Sequence, residues 1–442
     1  MSGRTRREFT RDLALLGAAA SLRPRSVFGS AALRVRVAVM GVRSRGLHLA
    51  REFAKQPDTE VAWICDVDRR YAETAAAEVE PLQASAPRLE KDVRRVLDQA
   101  DVDALVVAAP DHWHAPAAIL AASAGKHVYL EKPCSHNPAE GEMLIEAQTR
   151  HKRIIHMGNQ RRSWRNVNRC IEALHGGVIG NVYFARGWYA NNRESIGTGR
   201  PAPVPEYLDY DLWQGPAPRT PYRDNIHPYN WHWFRRWGTG EALNNGSHEI
   251  DLMRWGMGVD YPTRVTAVGG RYAFQDDWEF PDTMVATFEF GKERCFSWEG
   301  RSCNNHPVEG DGRGVIFYGE KGSVVVLGDG YVVYANDPEH TVIERVEPEP
   351  TSVADATNTM SPDAGLDAVH IANFLAAVRG DGTTSSPIAE GHKSVLLGQL
   401  ANIAWQTGRV LELDPSNGQI LDDVQARALW GREYEPGWEP AV

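Results

Sequence analysis

Two groups in this 442-residue chain are placed to handle a proton, Lys132 and His248. Lys132 lies in Tyr129-Leu130-Glu131-Lys132-Pro133, where a short apolar run that reads as a buried strand ends in a charged pair and a proline. A proline disfavours the α region for the residue before it, so Lys132 is expected to be extended at a strand's carboxyl end. That edge is where open α/β sheets bind ligands. His248 follows Gly246, and the apolar positions after it take up a helical spacing, so it is expected in a helix's first turn. The positive end of the helix dipole there favours a neutral imidazole, the form able to accept a proton.

The elements that must position Lys132 begin at Leu33. An alternating β-branched stretch to Met40 is followed by Gly41-Val42-Arg43-Ser44-Arg45-Gly46 and a helical run from Leu47 to Lys55. Strand, glycine turn and helix open a dinucleotide fold, although GxGxxG is met only at its first and last glycines, with Arg43 in the middle place. Gly41, Arg43, Ser44, Arg45 and Gly46 are therefore expected at the cofactor. A second strand ends at Asp66, near the separation at which an acid meets the ribose hydroxyls. A carboxylate there favours NAD over NADP, while Arg43, Arg69 and Arg70 leave NADP open. A third strand, Val102 to Ala109, runs into Pro110-Asp111-His112-Trp113-His114, and a helix from Pro116 to Ala124 leads back to the Lys132 strand. Repeated βα units mean a parallel, doubly wound sheet. His112 and His114 lack ligand-spaced partners for a metal and are expected to border the nicotinamide end.

The second half reads differently. A Pro-rich loop from Gly197 to Pro221 is too long for a plain connector. After it, Tyr229 to Trp237 holds the densest aromatic stretch, and Trp231 with His232 suits the C–H face and hydroxyl rim of a pyranose. From Arg264 onward, alternating segments joined by glycine turns read as antiparallel strands, and Gly365 to Arg379 and Glu390 to Thr407 as amphipathic helices. After Asp414 no signal is readable.

The amino terminus has the pattern of a twin-arginine export signal: Arg6-Arg7, Phe9 and a short, weakly apolar run to Ala20. Export by this route points to the periplasm and to a folded protein carrying a tightly bound cofactor. The net charge of −10 argues against nucleic acid as a partner, and no apolar run is long enough to span a membrane. The five cysteines show neither CxxC pairing nor metal spacing and are read as reduced, mostly buried thiols.

Taken together, Gly41 to Gly46, Asp66, Pro110 to His114, Glu131-Lys132-Pro133, Gly158-Asn159-Gln160-Arg161-Arg162 and Trp237 to Asp251 resemble, in order, the glucose-fructose oxidoreductase, inositol dehydrogenase and rhizopine catabolism protein family (Gfo/Idh/MocA). The resemblance implies an α/β chain: a leader over 1–32, a Rossmann dinucleotide-binding domain over 33–157, an α+β domain with an open, mainly antiparallel sheet over 158–365, and closing helices and tail over 366–442. It implies Lys132 and His248 as the catalytic pair, Pro110, Glu131, Asn159 and Gln160 at the cofactor, and Arg161 at the substrate. The family's aspartate four residues before the histidine is here Asn244, expected at the substrate, which can orient a partner or the substrate by hydrogen bonds but cannot hold a proton. The implied function is an exported, NAD-dependent oxidoreductase acting on a secondary alcohol of a sugar, polyol or glycoside and working as a homo-oligomer. Two rival expectations are an NAD-dependent glycoside hydrolase and a non-catalytic sugar-binding protein.

Overall fold

The computed structural model describes residues 34–349 and 364–442. The twin-arginine pattern lies outside the described residues.

In the first half, strands β1 (Val35–Met40), β2 (Thr59–Cys65), β3 (Arg88–Glu90), β4 (Ala104–Val107), β5 (His127–Leu130) and β6 (Ile155–Met157) alternate with helices. These are α1 (Arg45–Ala54), α2 (Arg69–Val79), α3 (Val93–Leu97), α4 (Asp111–Ser123) and α5 (Pro138–His151). All the strand pairs are parallel, in the order β3-β2-β1-β4-β5-β6. The apolar runs are buried because helices cover both faces of such a sheet. The order reverses between β1 and β4, where Met40 pairs with Val107, and the crevice at this switch point is the expected ligand edge.

One boundary departs from the sequence reading. Helix α4 begins at Asp111, not at Pro116, so Asp111 to His114 form its first turn. Pro116 has no N–H for the carbonyl of His112 one turn back, and that oxygen instead accepts from Arg432 Nη2 at 2.7 Å.

The second half is introduced by α6 (Arg165–His175) and built on a nine-stranded sheet. In chain order it carries β7 (Val182–Ala190), α7 (Tyr210–Gln214), α8 (Glu241–Asn244), α9 (Gly246–Met257), β8 (Arg264–Gly270), β9 (Thr283–Phe290) and β10 (Arg294–Arg301). Then follow β11 (Arg313–Gly319), β12 (Gly322–Leu327), β13 (Gly330–Ala335), β14 (Val342–Val346), α10 (Ala364–Arg379), α11 (Ile388–Thr407), β15 (Leu411–Glu412) and α12 (Val424–Arg427). The sheet order is β14-β13-β12-β11-β7-β10-β9-β8-β15, antiparallel except where β7 meets β10. Helix α9 packs on this sheet through Ile250, Leu252 and Met253 and carries His248 in its first turn.

Two later segments return to the first half. Helix α10 sets Ile371, Phe374 and Leu375 into the core of Phe53 and Tyr129, with Phe374 edge-on to both rings. The tail, unreadable in sequence, places Trp438 edge-on to Trp113 with centroids 5.3 Å apart and pairs Arg432 with the buried Glu140.

Candidate active site

A cavity of about 530 Å³ opens at the switch point and is walled by both halves. Its first wall is the glycine turn. Gly41 has φ +81, and a Cβ there would lie 2.6 Å from the backbone of Ala109; one on Gly46 would lie 1.7 Å from the carbonyl oxygen of Gly41. These two positions admit only glycine, whereas the middle position of the motif, Arg43, has room for a side chain. Ser44 makes no capping bond and the first turn of α1 carries no acid, so the helix amides there are open to an anion.

Asp66 lies on the wall beyond. One of its oxygens accepts from Val42 N at 2.7 Å, the other from Asp68 N at 2.8 Å. Burial pushes its carboxyl up to about 6 against the pull of these amides. Arg45 also lines the cavity but is held by carboxylates: it donates to Glu131 at 2.8 Å and by two nitrogens to Asp367 of α10. These residues fit a dinucleotide: glycines that let backbone approach, open amides for phosphate and an acid for ribose.

The strand-end residues divide. Pro110, His114, Glu131 and Gln160 line the cavity; His112, Asn159 and Arg161 do not. His114 is braced between the carbonyls of Pro133 and Ala109, at 2.6 and 2.7 Å. His112, two residues earlier on the same helix, points its Nε2 at the carbonyl of Trp213 and is fully buried. Asn159 is buried behind the wall. Arg161 lies in a buried cluster with Glu249 and Arg313, where burial pushes its guanidinium down to about 10. The expected substrate role of Arg161 thus has no surface to act through in this structure, and its charge reaches the cavity only as a field. Its neighbour Arg162 grips Asp251 of α9 with two nitrogens, one at 2.7 Å. The two arginines therefore fix the helix that carries His248 by Glu249 and Asp251, one and three residues after it.

At the centre, Lys132 and His248 face one space. Lys132 Nζ donates to the backbone carbonyl of Asn244. Burial lowers its pKa below the ordinary lysine value, opposed by Glu131 and Asp111. His248 is the third residue of α9, in its first turn, 1% exposed, and neither ring nitrogen has a protein partner. Its pKa lies well below the ordinary histidine value, first because of burial, then because Lys132, Arg313, Arg161 and Arg45 are all positive. The imidazole is neutral, as expected, but burial is the leading cause. The side chain of Asn244 donates to Glu241 at 3.3 Å. Trp231 and His232 stack at 3.6 Å on the cavity wall, and His232 donates through Nδ1 to the carbonyl of Tyr229.

Several cavity residues were not singled out from sequence. Tyr189 and Arg193 come from the end of β7 and the loop after it. Arg193 donates Nε to Glu241 at 2.8 Å and Nη1 to the Tyr229 hydroxyl at 3.0 Å. Asp111, inside the Pro-Asp-His-Trp-His run, is buried, lines the cavity and accepts from Thr239 at 2.6 Å. The one available signal was position: a polar residue just past a strand end faces the sheet's ligand edge. Among the described residues no cluster of three or more His, Cys, Asp or Glu is arranged to hold a metal ion.

Comparison with known proteins gives a consistent match. Residues 35–159 match the "Oxidoreductase family, NAD-binding Rossmann fold" model of GFO_IDH_MocA, and residues 208–413 its "Oxidoreductase family, C-terminal alpha/beta domain". A glycosyl hydrolase family 109 protein of Saccharopolyspora erythraea is 33% identical over 169 residues, 37% of this chain and 36% of that protein. The myo-inositol 2-dehydrogenase of Thermotoga maritima is 34% identical over 120 residues, 27% of this chain and 33% of that one. The match thus spans only about a third of either relative's length. A solved levoglucosan dehydrogenase in complex with NADH and levoglucosan superposes with TM-score 0.66 over 86% of this chain and 99% of that one, at 19% identity, a likeness of fold.

Proposed function

This chain belongs to the Gfo/Idh/MocA oxidoreductase family, and from its cavity we propose that it moves a hydride between a nicotinamide and a secondary alcohol of a sugar, polyol or glycoside. The observation that carries the reading is the pairing of Lys132 with His248, whose two ring nitrogens are buried and without protein partners. Bound nicotinamide would supply the hydride acceptor at the carbinol carbon. His248, neutral and with nitrogens to spare, takes the proton of the reacting hydroxyl. Lys132 commits one N–H to Asn244 and has two left to hold the same oxygen as negative charge grows on it. Trp231 and Tyr229 offer aromatic faces to a ring substrate, and the Asp66 carboxylate favours NAD over NADP. Replacing Lys132 or His248 by alanine is expected to cost orders of magnitude in turnover while NADH still binds; near-normal turnover in both variants would sink the assignment.

A second reading draws on how the cofactor site is covered. The segment before α7 crosses the exit of β2: Arg69 N donates to Tyr207 O at 3.0 Å, Asp209 N to Val67 O at 2.9 Å, and Lys91 pairs with Asp209 at 2.7 Å. Tyr207 lies under the Arg70 guanidinium, 3.3 Å from it. This strap next to Asp66 supports a dinucleotide retained between turnovers. A retained cofactor must give its hydride back in place, either to a second carbonyl compound or to the same sugar after its aglycone has been eliminated. The glycosyl hydrolase relative makes the latter worth separating. With aryl glycosides, released aglycone without net cofactor reduction identifies the hydrolase, and a keto-sugar identifies the dehydrogenase.

The amino-terminal pattern supports export to the periplasm by the twin-arginine route. Cell fractionation tests this with Arg6 and Arg7 both changed to lysine; periplasmic accumulation of that variant would refute the route.

A further inference from the structure

Arg43 stands where the phosphate-binding motif has its middle glycine, and its surroundings differ from those of every other cation on the cavity wall. Arg45 is paired with Glu131 and Asp367, Lys91 with Asp209, Arg193 with Glu241, and Lys132 donates to Asn244. Arg43 is exposed and, among the described residues, has neither a hydrogen bond nor an ion pair; its guanidinium lies over the ring of Tyr229, 5.5 Å from the centroid. The ten-residue helix α1 begins two residues later with its first amides open and no acid in its first turn. A guanidinium without a carboxylate beside the positive end of a helix is a repulsive arrangement until an anion stands between them.

The ring beneath Arg43 is itself held. The Tyr229 hydroxyl accepts from Arg193, Arg193 donates to Glu241, Glu241 accepts from Asn244, and the carbonyl of Asn244 accepts from Lys132. A continuous set of contacts thus joins the glycine turn of the first half to the reacting lysine through the second half.

We propose that Arg43 is a ligand of the dinucleotide pyrophosphate, held in place for that contact by the ring of Tyr229. This rests on the nicotinamide reading above. It makes the departure from GxGxxG functional: a side-chain cation adds to the bare backbone approach, and the second half orients it. Tyr229 acts through Arg43 and is a positioning residue in this respect.

The test is NADH affinity of protein stripped of nucleotide, followed by fluorescence, with thermal melts to check the fold. Arg43→Gly and Arg43→Gln are expected to bind roughly tenfold more weakly, the loss of one charge-assisted hydrogen bond, and to show a flatter dependence on salt. Tyr229→Leu should weaken NADH binding severalfold in the parent and change nothing in the Arg43→Gly background, because toward the nucleotide it acts only through Arg43. Affinity within about twofold of the parent in both Arg43 variants, or an equal cost of Tyr229→Leu in both backgrounds, overturns the proposal. If the parent itself binds no NADH, the functional reading falls, and this inference with it.

Discussion

Lys132 holds on to the backbone carbonyl of Asn244, while the side chain of Asn244 is spent on Glu241. The residue that replaces the family's aspartate therefore positions the lysine by its main chain, and its amide serves to satisfy a buried carboxylate. Asn244→Ala should keep turnover within an order of magnitude. Asn244→Asp sets a second carboxylate against Glu241 and removes one of its donors, which should destabilise the fold by roughly 1–3 kcal/mol. Melting temperatures and turnover of the two variants check this; an aspartate variant as stable as the parent would contradict it.

The Asp66 carboxyl, raised to about 6 by burial, should make cofactor choice depend on pH. Above that value it is charged and repels a 2′-phosphate; below it the protonated fraction grows and the repulsion fades. The ratio of NADPH to NADH affinity should therefore rise as pH falls through 6, and Asp66→Asn should raise the ratio at neutral pH and remove its pH dependence. A ratio that stays flat in the parent speaks against the role of Asp66.

Arg162 and Asp251 form a buried, two-nitrogen pair three residues beyond His248 on α9. Removing one partner leaves the other charge buried without its close counter-ion, Arg162 keeping only the more distant Glu390 at 3.9 Å, at a cost of up to roughly 3–5 kcal/mol. Arg162→Met and Asp251→Asn should each show that loss in urea unfolding. Both should lower kcat more than they weaken NADH binding, because the helix they misplace carries His248 and not the glycine turn.

Acid should unfold the protein early. Burial depresses His112 and His232 to about 3 and His227, His370 and His392 to about 4, from an ordinary 6.5. In the unfolded chain these rings take up protons near 6.5, but in the folded chain only near 3 to 4. Between those limits the unfolded state binds more protons, so stability falls as pH falls. Urea midpoints should be level above about pH 7 and drop steadily below about 6.5; level midpoints down to about pH 5 would show that these rings are not held neutral.

What could be read from the chain alone rests on short-range physics. The run from β1 through the glycine turn to α1, the strand ending at Asp66, the strand before Glu131-Lys132-Pro133 and the apolar spacing that puts His248 in a first helical turn follow from periodicity, glycine's access to positive φ and the punctuation of proline. They settle the parallel sheet and the order of the candidate site along it. Facing is another matter. His112 and His114 differ by two positions in one helical turn, and only the packing of α4 against Trp213 decides that His114 reaches the cavity and His112 does not. Asn159, Gln160 and Arg161 are consecutive, yet Gln160 alone lines it, because α9 supplies Glu249 as a buried partner for Arg161. The strap across β2, the return of the tail onto α4 and the seat of Arg43 on Tyr229 join residues far apart in the chain. No local preference encodes such contacts; they exist only once both sheets have formed and brought their edges together.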